Sequence, residues 1–223
     1  LSTIGSDIPF YADTKLMQSN HFINVLDTVW QQLTQDLGSY PYQSLILKTS
    51  RSKYYTEYRN GFVLAPEPTK TVDIKNWLTL YLTRLWVEGK FKLKNPIDDW
   101  LLDGIANFLV KQGKTDVLLS DLELLKNFDN QGLLPSFDSD DDQLSREQIY
   151  LKHQVMSTIY IDYLASSTSE SALRNVLKDW KSEAQPLTEE SLIAALERES
   201  SKSKDERSKS TLKHSKDIHF NSL

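Results

Sequence analysis

Two amphipathic helical stripes lie back to back between residues 73 and 113, and they constrain the fold more than any other stretch of the chain. From Asp73 to Glu88 the apolar residues Ile74, Trp77, Leu78, Tyr81, Leu82, Leu85 and Trp86 recur with helical period, and Gly89 is expected to end the run. Asn95-Pro96 then pairs an N-cap residue with a proline in the first turn, and Trp100, Leu101, Ile105, Phe108 and Leu109 carry a second helix towards Gly113. Two such stripes gain stability only by burying their faces against each other or against a sheet. With 39% hydrophobic residues and five Trp in 223 residues, the chain has the apolar side chains for a sizeable core.

The flanking segments supply that sheet and more helices. Leu16, Ile23, Leu26, Trp30, Leu33 and Leu37 mark a helix over Lys15 to Leu37, closed by Gly38 at positive φ. Tyr40-Pro41-Tyr42 breaks the pattern, Leu45-Ile46-Leu47 reads as a buried strand, and Gly61 to Ala65 reads as a second one ahead of Pro66 and Pro68. The Tyr- and Arg-rich segment between them is a loop or an edge strand. A short helix is expected over Ser120 to Asn127. Asp138 to Asp142 lacks the turn glycine and closing Glu of a calcium loop and reads as a solvated acidic linker. Ser145 and Gln148 form a capping pair opening a long helix through Ile149, Met156, Tyr160 and Tyr163, followed by helices near Glu170 to Lys181 and Thr188 to Arg198. The predicted class is α+β, mostly α, with a small N-terminal sheet and a helical lobe.

Composition removes several kinds of chemistry. The chain has no cysteine, which excludes disulfides, thiol nucleophiles, Cys-ligated zinc and iron–sulfur clusters. Residues 200–223 hold six basic and three acidic side chains, so a formal net charge of -5 leaves the remainder at -8, and the folded body is not expected to bind nucleic acid. No apolar run approaches the roughly 20 residues of a membrane-spanning helix. The Ser- and Lys-rich segment 199–223 is expected to be a disordered tail. Residues 1–10 are read as the remnant of a preceding segment of a longer polypeptide, because the chain opens on Leu1. The lack of Cys and of N-x-S/T acceptors leans towards an intracellular or bacterial setting.

The two central helices resemble those of the M1 metallopeptidases, zinc aminopeptidases with a thermolysin-like (gluzincin) catalytic domain. That family carries HExxH followed by x-W on one helix and a third ligand, Glu, in a W-L-x-E-G motif nineteen residues after the second His. Here Trp86 stands two residues after Arg84, and Asp103 of Trp100-Leu101-Leu102-Asp103-Gly104 stands nineteen after it. Tyr40-Pro41-Tyr42 is similar to the family's sequence leading into an edge strand. Ungapped spacing from there sets Thr56-Glu57-Tyr58-Arg59-Asn60 on the substrate-binding G-A-M-E-N motif, with Asn60 identical. Ile149-Tyr150-Leu151-Lys152-His153 resembles Y-x-K-G, which makes Tyr150 the counterpart of the intermediate-stabilising tyrosine. The resemblance covers residues 11–198 and implies a gluzincin domain.

It also implies a degenerate one. A gluzincin needs two His, a carboxylate and a Glu base, and the four aligned positions are Leu80, Tyr81, Arg84 and Asp103. Leucine has no lone pair, a guanidinium stays protonated, and tyrosine is a poor base near neutrality. His21, His153, His214 and His219 contain no i,i+4 pair. Arg59 stands where the family's Glu receives a peptide amino terminus, and its charge would repel an ammonium. An Arg84–Asp103 ion pair in place of the metal is expected, with Trp86 and Trp100 as core residues. No cofactor or metal is expected, and the partners are a protein or peptide and the rest of a longer chain. The functional reading is an inactive scaffold or peptide-binding module. It is similar in kind to the M1-like domain of TATA-binding-protein-associated factor 2, which also lacks the zinc-binding residues. The alternatives are an active zinc aminopeptidase whose ligands lie elsewhere and an unrelated α-rich interaction domain.

Overall fold

The computed structural model describes residues 2–5, 7–51, 56–68, 74–111 and 119–202. Its sheet contains β1 (Ser2–Ile4), β2 (Ile8–Ala12), β3 (Leu45–Ser50), β4 (Glu57–Arg59) and β5 (Phe62–Pro66), in spatial order β1-β2-β3-β5-β4. The three inner strands are parallel to one another, and β1 and β4 pair antiparallel at the two edges. Helices cover parallel strands, so the inner ones read as apolar runs: Leu45, Leu47, Val63 and Ala65 are completely buried. The Tyr- and Arg-rich segment supplies the edge strand β4, and Asn60 (φ 47°) with Gly61 (φ 85°) makes the left-handed turn into β5. Ile4 and Phe10 lie buried on β1 and β2. The segment expected to be a remnant at residues 1–10 therefore contributes to the same sheet.

Helix α1 (Thr14–Met17) and helix α2 (Asn20–Leu37) replace the single helix expected from Lys15. Ser19 separates them, because its hydroxyl accepts from the Phe22 N–H at 3.2 Å and caps α2. Helix α3 (Ile74–Lys90) runs through Gly89 rather than stopping there. That glycine is instead a packing position: a Cβ on it would lie 2.5 Å from Pro41 Cγ and 2.6 Å from the Tyr42 ring. Running one residue further lets Lys90 place its ammonium on the carbonyls of Leu37 (2.5 Å) and Lys178 (2.7 Å), beside the ends of two other helices.

A 3-10 turn at Pro96–Asp98, capped by Asn95, leads into α4 (Asp99–Val110). Helices α3 and α4 pack side by side, which the reading as an unrelated α-rich domain does not predict. Trp86 is the centre of an aromatic cluster, 4.8 Å from Trp30 and 5.0 Å from Tyr40 between ring centroids. Helix α5 (Leu119–Asn130) buries none of its residues. The expected capping box at Ser145 and Gln148 opens α6 (Arg146–Tyr150). A π-helical stretch, Leu151–Met156, then joins α6 to α7 (Ser157–Thr168). Gly104 lets α7 approach α4, since a Cβ there would lie 2.7 Å from the Ser157 carbonyl oxygen.

Helix α8 is Glu170–Asp179, and residues 189–202 are helical, so the boundary expected at 199 falls inside a helix. The rest of the expected tail, 203–223, and the expected stop at Gly113 lie outside the described residues. No helix among the described residues is long and apolar enough to cross a membrane.

Candidate functional site

The inward polar faces of α3 and α4 meet at one ion pair. Arg84 Nε donates to Asp103 Oδ1 at 2.8 Å, with the two side chains 19% and 14% exposed. The Arg84 guanidinium lies 6.0 Å from the centroid of the Tyr58 ring, and its Nη1 is buried without a hydrogen-bond partner. The ion pair anticipated from the aligned positions is thus present. It is also one link of a longer chain of charges that the spacing of the motifs does not announce.

The second oxygen of Asp103 lies 2.6 Å from His153 Nδ1. The opposite ring nitrogen, Nε2, lies 2.8 Å from Asp141 Oδ2 and 3.8 Å from Asp99 Oδ1. Lys152 Nζ, on a side chain only 1% exposed, donates to Asp141 Oδ1 at 2.9 Å and to the Ser139 carbonyl at 2.8 Å. Two local features bring these groups together. Asp99 and Asp103 are one helical turn apart and share a face of α4. The π-helical stretch buries the consecutive residues Lys152 and His153, and both reach the 138–142 segment.

Burial alone would lower the His153 pKa, but the hydrogen bond and charge of Asp103, then the charges of Asp99 and Asp141, outweigh it and raise the value. Asp99 is raised by burial and by its acidic neighbours Asp103 and Asp141, against the opposing pull of His153. Asp141 goes the other way: burial pushes it up, and the Lys152 hydrogen bond followed by the His153 charge brings it below the usual carboxylate range. On the Arg84 side burial raises Glu88 against the pull of Arg84, and burial pushes Tyr42 up to about 12. Tyr58 is raised further by burial. These tyrosines therefore stay neutral near pH 7 and can only hydrogen-bond or stack.

The remaining positions singled out in the sequence do not all converge on this cluster. Leu80 is 40% exposed on α3. Tyr81 is half-buried, meets the Trp77 ring edge-on, lies near the tilted ring of Tyr58, and has a side-chain hydrogen bond with Thr56. On β4, Tyr58 turns towards Arg84, while Arg59 is exposed and, by strand alternation, shares the other side with Glu57. Asn60 makes the exposed turn. Tyr150 is 43% exposed, and its hydroxyl donates to Asp121 of α5 at 3.0 Å.

The 138–142 segment needs correction as well. Asp140 caps a 3-10 turn, and Asp141 is bonded to Lys152 and His153, so the stretch is an anchored polar loop rather than a solvated linker. Asp99, Asp141 and the Lys152–His153 pair lie too far apart along the chain to be read as a group. The Asp99/Asp103 spacing was the one local signal for them.

The gluzincin metal does not fit the aligned positions. Leu80 and Tyr81 offer no imidazole or carboxylate, and Asp103 already has both oxygens engaged by Arg84 and His153. What the arrangement can do without that metal is hold α3, α4, the π-helical stretch and the acidic loop in one charge-compensated unit.

Neither protein-family profiles nor curated proteins match the sequence. Solved structures do match the fold. An M1 zinc metallopeptidase from Deinococcus radiodurans superposes with a TM-score of 0.58 and 13% identity, covering 88% of this chain and 46% of that one. A point mutant of that enzyme gives a TM-score of 0.56 at 14% identity and 47% coverage of its chain. The mutant bound to a Tyr-Ser-Ala substrate gives 0.52 at 14% identity and 44% coverage. The chain thus spans a little under half the length of these enzymes, and over that span it has the fold of an M1 zinc metallopeptidase.

Proposed function

We propose that this chain is a catalytically inactive M1-aminopeptidase-like domain, kept as a scaffold or as a peptide- or protein-binding module within a larger protein. The observation that carries the reading is the Arg84–Asp103 ion pair at 2.8 Å, at two positions that the family's register gives to zinc ligands. An ion pair sheltered from water ties α3 to α4, whereas removing one partner would strand a charge. The loss of a base at Tyr81 and of a peptide-anchoring carboxylate at Arg59 points the same way, as does the placement of Tyr150 on Asp121. For binding, β4 is an edge strand of the described sheet that ends on the exposed Arg59, an arrangement suited to an extended peptide that adds to the sheet.

The test is hydrolysis of a panel of aminoacyl-7-amido-4-methylcoumarins by the purified chain with excess Zn²⁺. No turnover above buffer is expected. Turnover that follows the protein through two orthogonal columns and disappears in Asp103→Ala would establish the alternative, an active zinc aminopeptidase.

A further inference from the structure

The side of α3 turned away from Arg84 borders a cavity of about 380 Å³ that it encloses together with α2, α4 and α8. Lys75, Thr79 and Thr83 recur every four residues along that side, whereas Tyr81, Arg84 and Glu88 project from the opposite side of the helix. We propose that this cavity binds a small uncharged molecule with an apolar body and one hydrogen-bonding group, a hydroxyl or an amide. Its size falls in the lower part of the range of about 300–1,000 Å³ found for ligand pockets.

Thr83 carries the argument. It lines the cavity and is completely buried, and its hydroxyl has no hydrogen-bond partner among the described residues. A threonine inside a helix ordinarily gives its hydroxyl proton to the carbonyl four residues back. Two other threonines of the same lining do so, Thr28 to Asn24 at 2.9 Å and Thr79 to Lys75 at 2.7 Å. Thr83 makes no such bond, so its proton and its lone pairs both stay available. A buried hydroxyl left in this way disfavours the fold, and valine would have almost the same shape without that cost. A ligand atom that donates or accepts at Thr83 removes the penalty.

The rest of the lining sets the class of ligand. Val29, Leu33 and Leu109 are buried and give the cavity an apolar floor, while Thr28 and Gln32 are exposed. The charged groups that line it compensate one another. Arg174 Nε donates to Glu170 at 2.9 Å, its Nη1 lies 3.6 Å from Asp36 Oδ1, and its guanidinium lies 5.6 Å from the centroid of the Phe108 ring. The other Asp36 oxygen accepts from Gln32 at 3.0 Å, and Lys75 is exposed. An ionised group entering the cavity would exchange water for aliphatic side chains and a neutral hydroxyl, which is unfavourable. A neutral molecule loses little there and gains by burying its apolar body. None of Leu80, Tyr81, Arg84 and Asp103 lines the cavity.

The test uses the full chain and three probes of similar shape, 4-propylphenol, propylbenzene and 4-propylbenzoate, titrated as far as solubility allows and followed by amide NMR shifts. 4-Propylphenol is expected to saturate one site with a Kd of about 1 mM, with the shifts centred on α2 and α3. Propylbenzene should bind about fivefold more weakly, and 4-propylbenzoate about tenfold or more. Thr83→Val should weaken 4-propylphenol about fivefold, leave propylbenzene within about twofold, and raise the Tm of the unliganded chain by about 2 °C. Thr83→Ser keeps the hydroxyl and should preserve the preference for the phenol. It decides the matter if Thr83→Val fails to fold.

Equal affinities for the phenol and propylbenzene, a phenol affinity untouched by Thr83→Val, tighter binding of the benzoate, or no saturable site would each overturn the proposal. A lower Tm in unliganded Thr83→Val would do the same, because the hydroxyl would then already serve the fold through water. The inactive M1-like reading stands on other residues, on the opposite side of α3, and none of these outcomes bears on it.

Discussion

The two sides of α3 differ in what they retain. On one side Leu78, Leu82, Leu85 and Trp86 are buried completely, and Trp86 meets Trp30 and Tyr40 in a close aromatic cluster. On the other side Tyr81, Arg84 and Glu88 line a half-buried polar face closed by Tyr58 and Asp103. The first face is packed into the core, and the second is held by charge pairing. Packing constrains volume and polarity, and these persist in any sequence that keeps the fold. Metal ligation constrains atom types at single positions, which can change without unfolding the chain. The comparison therefore predicts large stability effects on the first face, intermediate and pH-dependent effects on the second, and little at Leu80.

Trp86→Ala should test the packed face most severely, with a loss of about 3–5 kcal/mol in urea unfolding. Trp86→Phe should cost under about 1.5 kcal/mol, because the indole N–H is buried without a partner and its removal offsets part of the lost volume. Equal losses in the two variants would mean that the indole N–H matters more than the packing. Gly104→Ala comes next at about 1–3 kcal/mol, read by thermal unfolding, since its Cβ would press on the Ser157 carbonyl across the α4–α7 contact.

On the polar face, Asp103→Asn should cost about 2 kcal/mol, discounted from a fully buried pair because both partners retain some exposure. Its effect should depend on pH. The His153 pKa is raised in the folded chain, so the stability it contributes is full below its unfolded value near 6.5 and fades as pH rises through the folded value. Asp141 is lowered, so its contribution is full above its unfolded value near 3.8 and fades as pH falls through the folded one. A Tm profile should therefore fall on both sides of mildly acidic pH. Asp103→Asn should flatten the alkaline limb and bring the His153 imidazole NMR titration back towards 6.5. An unchanged alkaline limb would separate His153 from Asp103.

Ser145→Ala should cost about 1 kcal/mol by loss of the capping box, a local effect independent of either face. Leu80→Ala should stay within about 0.5 kcal/mol in the same assay, since the side chain is 40% exposed. A large loss there would show that α3 packs on a further surface through Leu80.

Much of the architecture was legible because it rests on periodicity and caps. The stripes at 74–86 and 100–109, the Asn95 and Ser145 caps and the positive φ at Gly38 are local signals, each produced by a few neighbouring residues. Gly89 misled for the opposite reason, since its small size serves contact with Pro41 and Tyr42, residues more than forty positions away. The strands at Ser2–Ile4 and Ile8–Ala12 leave no readable pattern, because short strands gain their stability from sheet partners rather than from their own sequence.

At the site the limit is the same. The opposed charges of Arg84 and Asp103 could be set side by side from the resemblance to the M1 metallopeptidases, whose motif spacing aligns both with ligand positions. Asp141 and His153 could not, because they belong to a loop and a π-helical stretch that only the folded chain brings up to α4. The sequence by itself determined the helical pair, its caps, the apolar core face and the absence of HExxH, since each depends on residue type at short range. Only the tertiary structure decided that Lys152 is buried against Asp141 and that His153 bridges Asp103 and Asp141 with Asp99 alongside, because electrostatic pairing acts over a few ångströms in space, whatever the distance along the chain.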